Sequence, residues 1–75
     1  MIDQRASKFL TDEETQFIEL HSDKYLFDIF VLPKMQEFCI RIEDYPATIR
    51  RFWSCPIKDL KHGQVIIELK RMIKV

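Results

Sequence analysis

The stretch RRFWSCP, which begins at Arg50, holds the densest set of groups in this chain that could do chemistry. Arg50 and Arg51 can bind phosphate or carboxylate groups through their guanidinium forks. The rings of Phe52 and Trp53 can stack on bases or fill a hydrophobic interface, and Cys55 carries a thiol that is nucleophilic when ionised. The stretch therefore suggests a binding surface or a reactive thiol.

The basic residues of the chain are concentrated in its second part. Residues 1–47 contain five basic and ten acidic side chains, a net charge of −5, whereas residues 48–75 contain seven basic and two acidic ones, a net charge of +5. The seven are Arg50, Arg51, Lys58, Lys61, Lys70, Arg71 and Lys74. We predict that they form a basic face for an anionic partner. The alternative is that the acidic and basic parts of the chain pack against each other.

Cys55 is the one candidate for nucleophilic catalysis, because it precedes Pro56 and two arginines lie nearby. No acid–base set accompanies it, so we predict a small apolar role for Cys55 and no enzymatic activity. His21, His62, Cys39 and Cys55 could together ligate zinc, but no C-x-x-C or H-x-x-x-H spacing places two ligands on one turn. We therefore predict neither a metal site nor another cofactor.

The composition indicates where the protein resides and how it folds. The chain has 75 residues, of which 47% are hydrophobic and 32% charged, as is typical of a single small globular domain. Two cysteines do not make a disulfide framework, no apolar run approaches the roughly 20 residues of a membrane span, and the first residues are charged. We predict a cytoplasmic protein that does not bind membranes.

The first helix signal is the sequence Thr11-Asp-Glu-Glu14, in which the Thr11 hydroxyl and the Glu14 carboxylate can form a capping box. We predict a helix that starts at Asp12, with Phe17, Ile18 and His21 on one face. The alternative is a strand, because residues 15–21, TQFIELH, also alternate.

Two strands are predicted next. Residues 24–32, KYLFDIFVL, form an apolar run of strand length, and residues 37–43, EFCIRIE, alternate so that Phe38, Ile40 and Ile42 point inward. A turn at residues 32–36 would join them into a hairpin. Asp28 and Arg41 would pair across this hairpin if its register brings them together.

The stretch RRFWSCP itself has a helical period. Asp44 or Tyr45 can cap a helix, and Pro46 suits its first turn. The apolar stripe of this helix would comprise Tyr45, Ile49, Phe52, Trp53 and Pro56. We therefore predict a helix that starts at Pro46 and stops before Pro56, with the aromatic rings in the core and the arginines exposed.

Residues 64–75 fit two structures. A strand would align Val65, Ile67, Leu69, Ile73 and Val75, whereas a helix would align Val65, Ile66, Leu69, Met72 and Ile73. The β-branched content favours the strand.

These elements predict an α+β fold: a small antiparallel sheet, made of the central hairpin and a C-terminal strand, with one or two helices on one face. A chain this small hides only about 60% of the surface that it would expose unfolded, so association would help to stabilise it. We predict a non-enzymatic binding or regulatory module that associates with a protein partner or with itself, using the basic face and Trp53 or Tyr25 as aromatic anchor. The alternative is a nucleic-acid-binding protein that uses the basic residues and Trp53.

Overall fold

The computed structural model describes residues 1–45 and 49–74. The elements are α1 (Gln4–Ser7), α2 (Asp12–Leu20), β1 (Tyr25–Leu32), β2 (Glu37–Asp44), β3 (Arg50–Pro56), a 3-10 turn (Ile57–Asp59) and α3 (Gln64–Ile73). The protein has an α+β fold, which confirms the predicted class.

The sheet is antiparallel, and β2 lies between β1 and β3. The predicted hairpin is confirmed: β1 and β2 pair in a register that sets Asp28 opposite Arg41. The Arg41 Nη2 donates to the Asp28 Oδ2 at 2.6 Å, so the predicted cross-strand ion pair is present. Ile2 forms a parallel bridge with Ile29 along the outer edge of β1.

The core lies between one face of the sheet and the helices. Phe38, Ile40 and Ile42 of β2 are fully buried, as their alternation predicts. The buried residues that pack with them are Ala6 of α1, Ile18 of α2, Phe27 and Ile29 of β1, and Val65, Leu69 and Ile73 of α3. The helices therefore cover one face of the sheet.

Helix α2 begins at Asp12 and has the predicted capping box. The Thr11 backbone N–H donates to the Glu14 Oε1 at 2.7 Å, and the Glu14 N–H donates to the Thr11 Oγ1 at 3.2 Å. The second oxygen of Glu14 accepts from the Ile66 N–H of α3 at 2.8 Å. One buried carboxylate thus caps the first turns of two helices.

The prediction of a helix that starts at Pro46 and stops before Pro56 is wrong, because residues 50–56 form strand β3. The register of β3 with β2 is unbroken from Glu37 opposite Pro56 to Glu43 opposite Arg50. The same residues also alternate with period two, and the backbone bonds to β2 decide in favour of that period. Pro46, predicted in the first turn of that helix, lies outside the described residues.

The prediction of a C-terminal strand is also wrong, because α3 occupies most of residues 64–75. Val65, Leu69 and Ile73 are spaced by four residues and are all buried against the sheet, so the helical stripe is the one realised. The third strand of the sheet is therefore β3. Val75 lies outside the described residues.

Within residues 1–45 and 49–74, no helix has both the length and the apolar character needed to cross a bilayer.

Candidate functional site

Strand β3 carries the residues of RRFWSCP on two faces of the sheet. Arg51, Trp53 and Cys55 lie opposite the inward residues of β2 and so share the face that the helices cover. Arg50 and Phe52 lie on the other face. The rings of Phe52 and Trp53, which the helix prediction placed together in the core, are therefore separated by the sheet.

The two predicted aromatic anchors pack against the core. Trp53 and Tyr25 are both partly buried there. The exposed ring of this strand belongs to Phe52, whose side chain is 60% exposed. Sequence reasoning missed Phe52 as a surface residue because a helical period puts it beside Trp53, whereas a strand period puts it on the opposite face.

Three arginines of the predicted basic face are bound to carboxylates of the same chain. Arg51 donates to the Asp44 carboxylate, and the Arg50 Nε lies 3.5 Å from the Glu43 Oε1. Both pairs join β3 to β2, so the acidic and basic parts of the chain meet inside the sheet. The third arginine, Arg71, lies in the last turns of α3, with its Nη1 3.2 Å from the Glu68 Oε1.

The lysines of the basic face are placed differently. Lys58, Lys61, Lys70 and Lys74 are all exposed, and none of them forms an ion pair with a carboxylate of residues 1–45 or 49–74. Lys58 lies in the 3-10 turn and Lys61 in the segment before α3, whereas Lys70 and Lys74 are at the end of α3. Within the predicted basic face, the positive charges without a carboxylate partner among the described residues are therefore those of the four lysines.

We call the sheet face opposite the helices the open face. It comprises Leu26, Asp28, Phe30 and Leu32 of β1, Glu37, Cys39, Arg41 and Glu43 of β2, and Arg50, Phe52, Ser54 and Pro56 of β3. Leu26 is 41% exposed and Leu32 is 38% exposed, so with Phe52 they leave apolar surface in water on both outer strands. Sequence reasoning did not find this face, because which strand faces are covered depends on where the helices pack.

Charged pairs interrupt the apolar groups of the open face. Beside Asp28 and Arg41 lies a surface cavity of about 320 Å³ that also touches Phe30. The Arg41 hydrogen bond lowers the pKa of the Asp28 carboxyl below its ordinary value of 3.8, and Asp28 raises the pKa of the Arg41 guanidinium. Because the two charges satisfy each other, neither is left unpaired to bind a small ligand.

The cysteines are buried free thiols on opposite sides of the sheet. Burial raises the pKa of both thiols, and the Glu37 carboxylate adds to the effect at Cys39. Both thiols therefore stay protonated near neutral pH and are poor nucleophiles. Among the residues that the structure describes, no group of three histidine, cysteine or acidic side chains converges as metal ligands would.

Comparisons with protein-family models, curated proteins and solved structures found no match to this chain.

Proposed function

We propose that the protein is a small, non-enzymatic binding module that acts by protein–protein association through its open face. The observation that carries the proposal is the exposed apolar surface of Leu26, Leu32 and Phe52 on a sheet face that none of the described helices covers. These apolar side chains lie among charges that are already paired with each other, as Asp28 is with Arg41, so a partner can bury them without leaving that pair uncompensated.

The electrostatics support association through this face rather than through the arginines. Arg50 and Arg51 are already bound to Glu43 and Asp44, so an anionic partner would have to compete with carboxylates of the same chain. The absence of enzymatic activity remains part of the proposal, and the two protonated, buried thiols support it.

The test is affinity capture from the native host with three versions of the protein as bait. Leu26→Ser combined with Leu32→Ser makes the β1 side of the open face polar. Leu20→Ser is the matched control, because Leu20 is an exposed leucine on α2. We expect the wild type and the control to retain a partner that the double variant loses, with unchanged circular dichroism. A double variant that kept every partner would refute the proposal.

Nucleic-acid binding is a second candidate, supported by the exposed lysines at positions 58, 61, 70 and 74. Phosphate contacts through these lysines would make the affinity fall steeply with salt. The test is titration of labelled single-stranded and duplex oligonucleotides, with the four lysines changed to glutamine and with Arg50 and Arg51 changed to glutamine as the comparison. The loss of binding is expected mainly from the lysine variant. An affinity that neither salt nor the lysine changes reduce would exclude this function.

We also propose that the protein works in the cytoplasm. The two free thiols, Cys39 and Cys55, suit a reducing compartment. Fluorescent tagging in the native host tests this location.

A further inference from the structure

Strand β3 has an outer edge with which no strand of residues 1–45 or 49–74 pairs. The Asp44 N–H donates to the Ile49 carbonyl, and the Ile57 N–H donates to the Gln36 carbonyl. Hydrogen-bonded pairs alternate along an antiparallel ladder, so the backbone N–H and C=O groups of the odd-numbered residues of β3 point toward β2. The N–H and C=O groups of Arg50, Phe52 and Ser54 therefore point away from the sheet. No backbone or side-chain hydrogen bond reaches them from residues 1–45 or 49–74.

This edge has few of the features that usually prevent strand pairing. Natural edge strands are protected by lysines, bulges, prolines or a covering element. Strand β3 contains no lysine, its register with β2 is unbroken, and its proline, Pro56, is the last residue. The edge can thus accept another strand along Arg50 to Ser54.

The charges at this edge favour a second copy of the chain over a strongly charged partner. Arg50 and Arg51 are bound to Glu43 and Asp44 of β2, and the rest of β3 is uncharged. Two copies that meet antiparallel would set the arginines at opposite ends of the paired strands. A parallel pair would place them side by side, and like charges directly opposite are destabilising.

We propose that two copies of this protein pair antiparallel through β3 and form a continuous six-stranded sheet. A two-fold axis at Phe52 sets its ring against the same ring of the second copy and sets Arg50 opposite Ser54. The outward N–H groups of residues 50, 52 and 54 then make three hydrogen bonds from each copy. On the helix side, Arg51 lies opposite Trp53. This inference rests on the proposed function, since it names a second copy of the chain as the protein partner and places the contact at the β3 edge of the open face.

The test measures the mass of the protein in solution across a concentration series, with two variants that change the edge but spare the core. Ser54→Pro removes an outward N–H that β2 does not use, and proline is tolerated at the outer side of an edge strand. Phe52→Lys places two like charges on the two-fold axis. Ser54→Thr is the matched control, because threonine keeps the N–H and suits a strand.

We expect a wild-type mass of twice the 9.1 kDa of the chain, retained by Ser54→Thr. Each of the other two variants should raise the dimer dissociation constant at least about tenfold while circular dichroism shows an intact fold. A wild type that stays monomeric at high micromolar concentration overturns the proposal. Dimers that survive both Ser54→Pro and Phe52→Lys also overturn it.

The dimer and the proposed binding function can fail separately. A monomeric wild type whose captured partner is lost in the variant with Leu26→Ser and Leu32→Ser overturns the dimer alone. A dimer that Ser54→Pro dissociates, with partner capture insensitive to the leucine changes, supports this inference and refutes the proposed use of the β1 side. If the wild type is monomeric and Ser54→Pro abolishes capture of a partner, the β3 edge pairs with a strand of another protein, and the proposed dimer is overturned.

Discussion

Glu14 is the residue whose role extends furthest beyond its own element. Its side chain is fully buried, and its two oxygens accept from the backbone N–H groups of Thr11 and Ile66. A buried carboxylate is tolerated here because both oxygens are hydrogen-bonded at the positive ends of two helices. The capping box on Thr11 could be predicted from the spacing of Thr11 and Glu14. The bond to Ile66 could not, because it joins residues 52 positions apart.

We expect Glu14→Ala to lower the free energy of unfolding by about 2 to 4 kcal/mol, because it removes the acceptor for two partly buried N–H groups. The matched control is Glu13→Ala, which removes the same charge from an exposed position in the same turn and should cost less than about 1 kcal/mol. Urea denaturation measures both values. Equal destabilisation by the two variants would contradict this role for Glu14.

The Asp28–Arg41 pair predicts a pH dependence of stability. The pKa of Asp28 is lowered in the folded protein, chiefly by its hydrogen bond with Arg41, so the carboxylate stabilises the fold above its ordinary pKa of 3.8. This stabilisation is lost as the pH falls below 3.8 and through the lowered folded value. Since both side chains are partly exposed, screening by water keeps the contribution of the pair to stability at pH 7 small.

The measurement is the urea midpoint of the wild type and of Asp28→Asn between pH 7 and pH 2. The difference in unfolding free energy should be constant down to about pH 4 and should shrink below it. Arg41→Gln should reduce the same part of the pH dependence, since Arg41 is the main cause of the lowered pKa. A difference that persists undiminished at pH 2 would rule out this contribution.

At the scale of elements, α2, β1 and β2 could be predicted and β3 and α3 could not. The capping box and the alternation of residues 37–43 each indicate one structure. In residues 50–56 the apolar groups fit both a helix and a strand, and the pairing with β2 selects the strand. In α3 the β-branched residues favour a strand locally, but burial of Val65, Leu69 and Ile73 along one helix face outweighs that preference.

The start of α3 depends on Gly63, which is the N-cap residue and has a φ of 81°. A Cβ at this position would meet no atom within 4 Å, so a substitution tests backbone strain alone. We expect Gly63→Ala to cost about 1 kcal/mol and Gly63→Asn to cost less, because asparagine adopts left-handed conformations more readily. Thermal unfolding of the three proteins measures the difference. Two variants as stable as the wild type would contradict a strained position.

At the scale of the whole molecule, part of the charge asymmetry is neutralised inside the chain, because acidic residues of its first part bind basic residues of its second part. The acidic end of β2 lies beside the basic start of β3, where Glu43 and Asp44 bind Arg50 and Arg51. The net charge of zero therefore includes local compensation in the sheet as well as an average over separate surfaces. Lys58, Lys61, Lys70 and Lys74 take no part in this compensation, since none of them forms an ion pair within residues 1–45 and 49–74.

The stability of so small a chain depends on few core residues, so a single cavity in the core should clearly lower the free energy of unfolding. Leu69 of α3 is fully buried between the helix and the sheet. We expect Leu69→Ala to cost about 2 to 5 kcal/mol, and Ile67→Ala, at an exposed position of the same helix, to change stability by less than about 0.5 kcal/mol. Chemical denaturation followed by tryptophan fluorescence distinguishes them, and similar losses would contradict the placement of α3.

The sequence by itself determined the α+β class, the start of α2, the β1–β2 hairpin and its inward face, because caps and two-residue alternation act between near neighbours in the chain. Only the tertiary structure decided that RRFWSCP is an edge strand, that residues 64–73 are a helix, and that Phe52 is exposed while Trp53 is partly buried. These outcomes depend on which strand supplies backbone hydrogen bonds and which face the helices cover. Such contacts join distant parts of the chain, and a local period that fits two structures does not encode them.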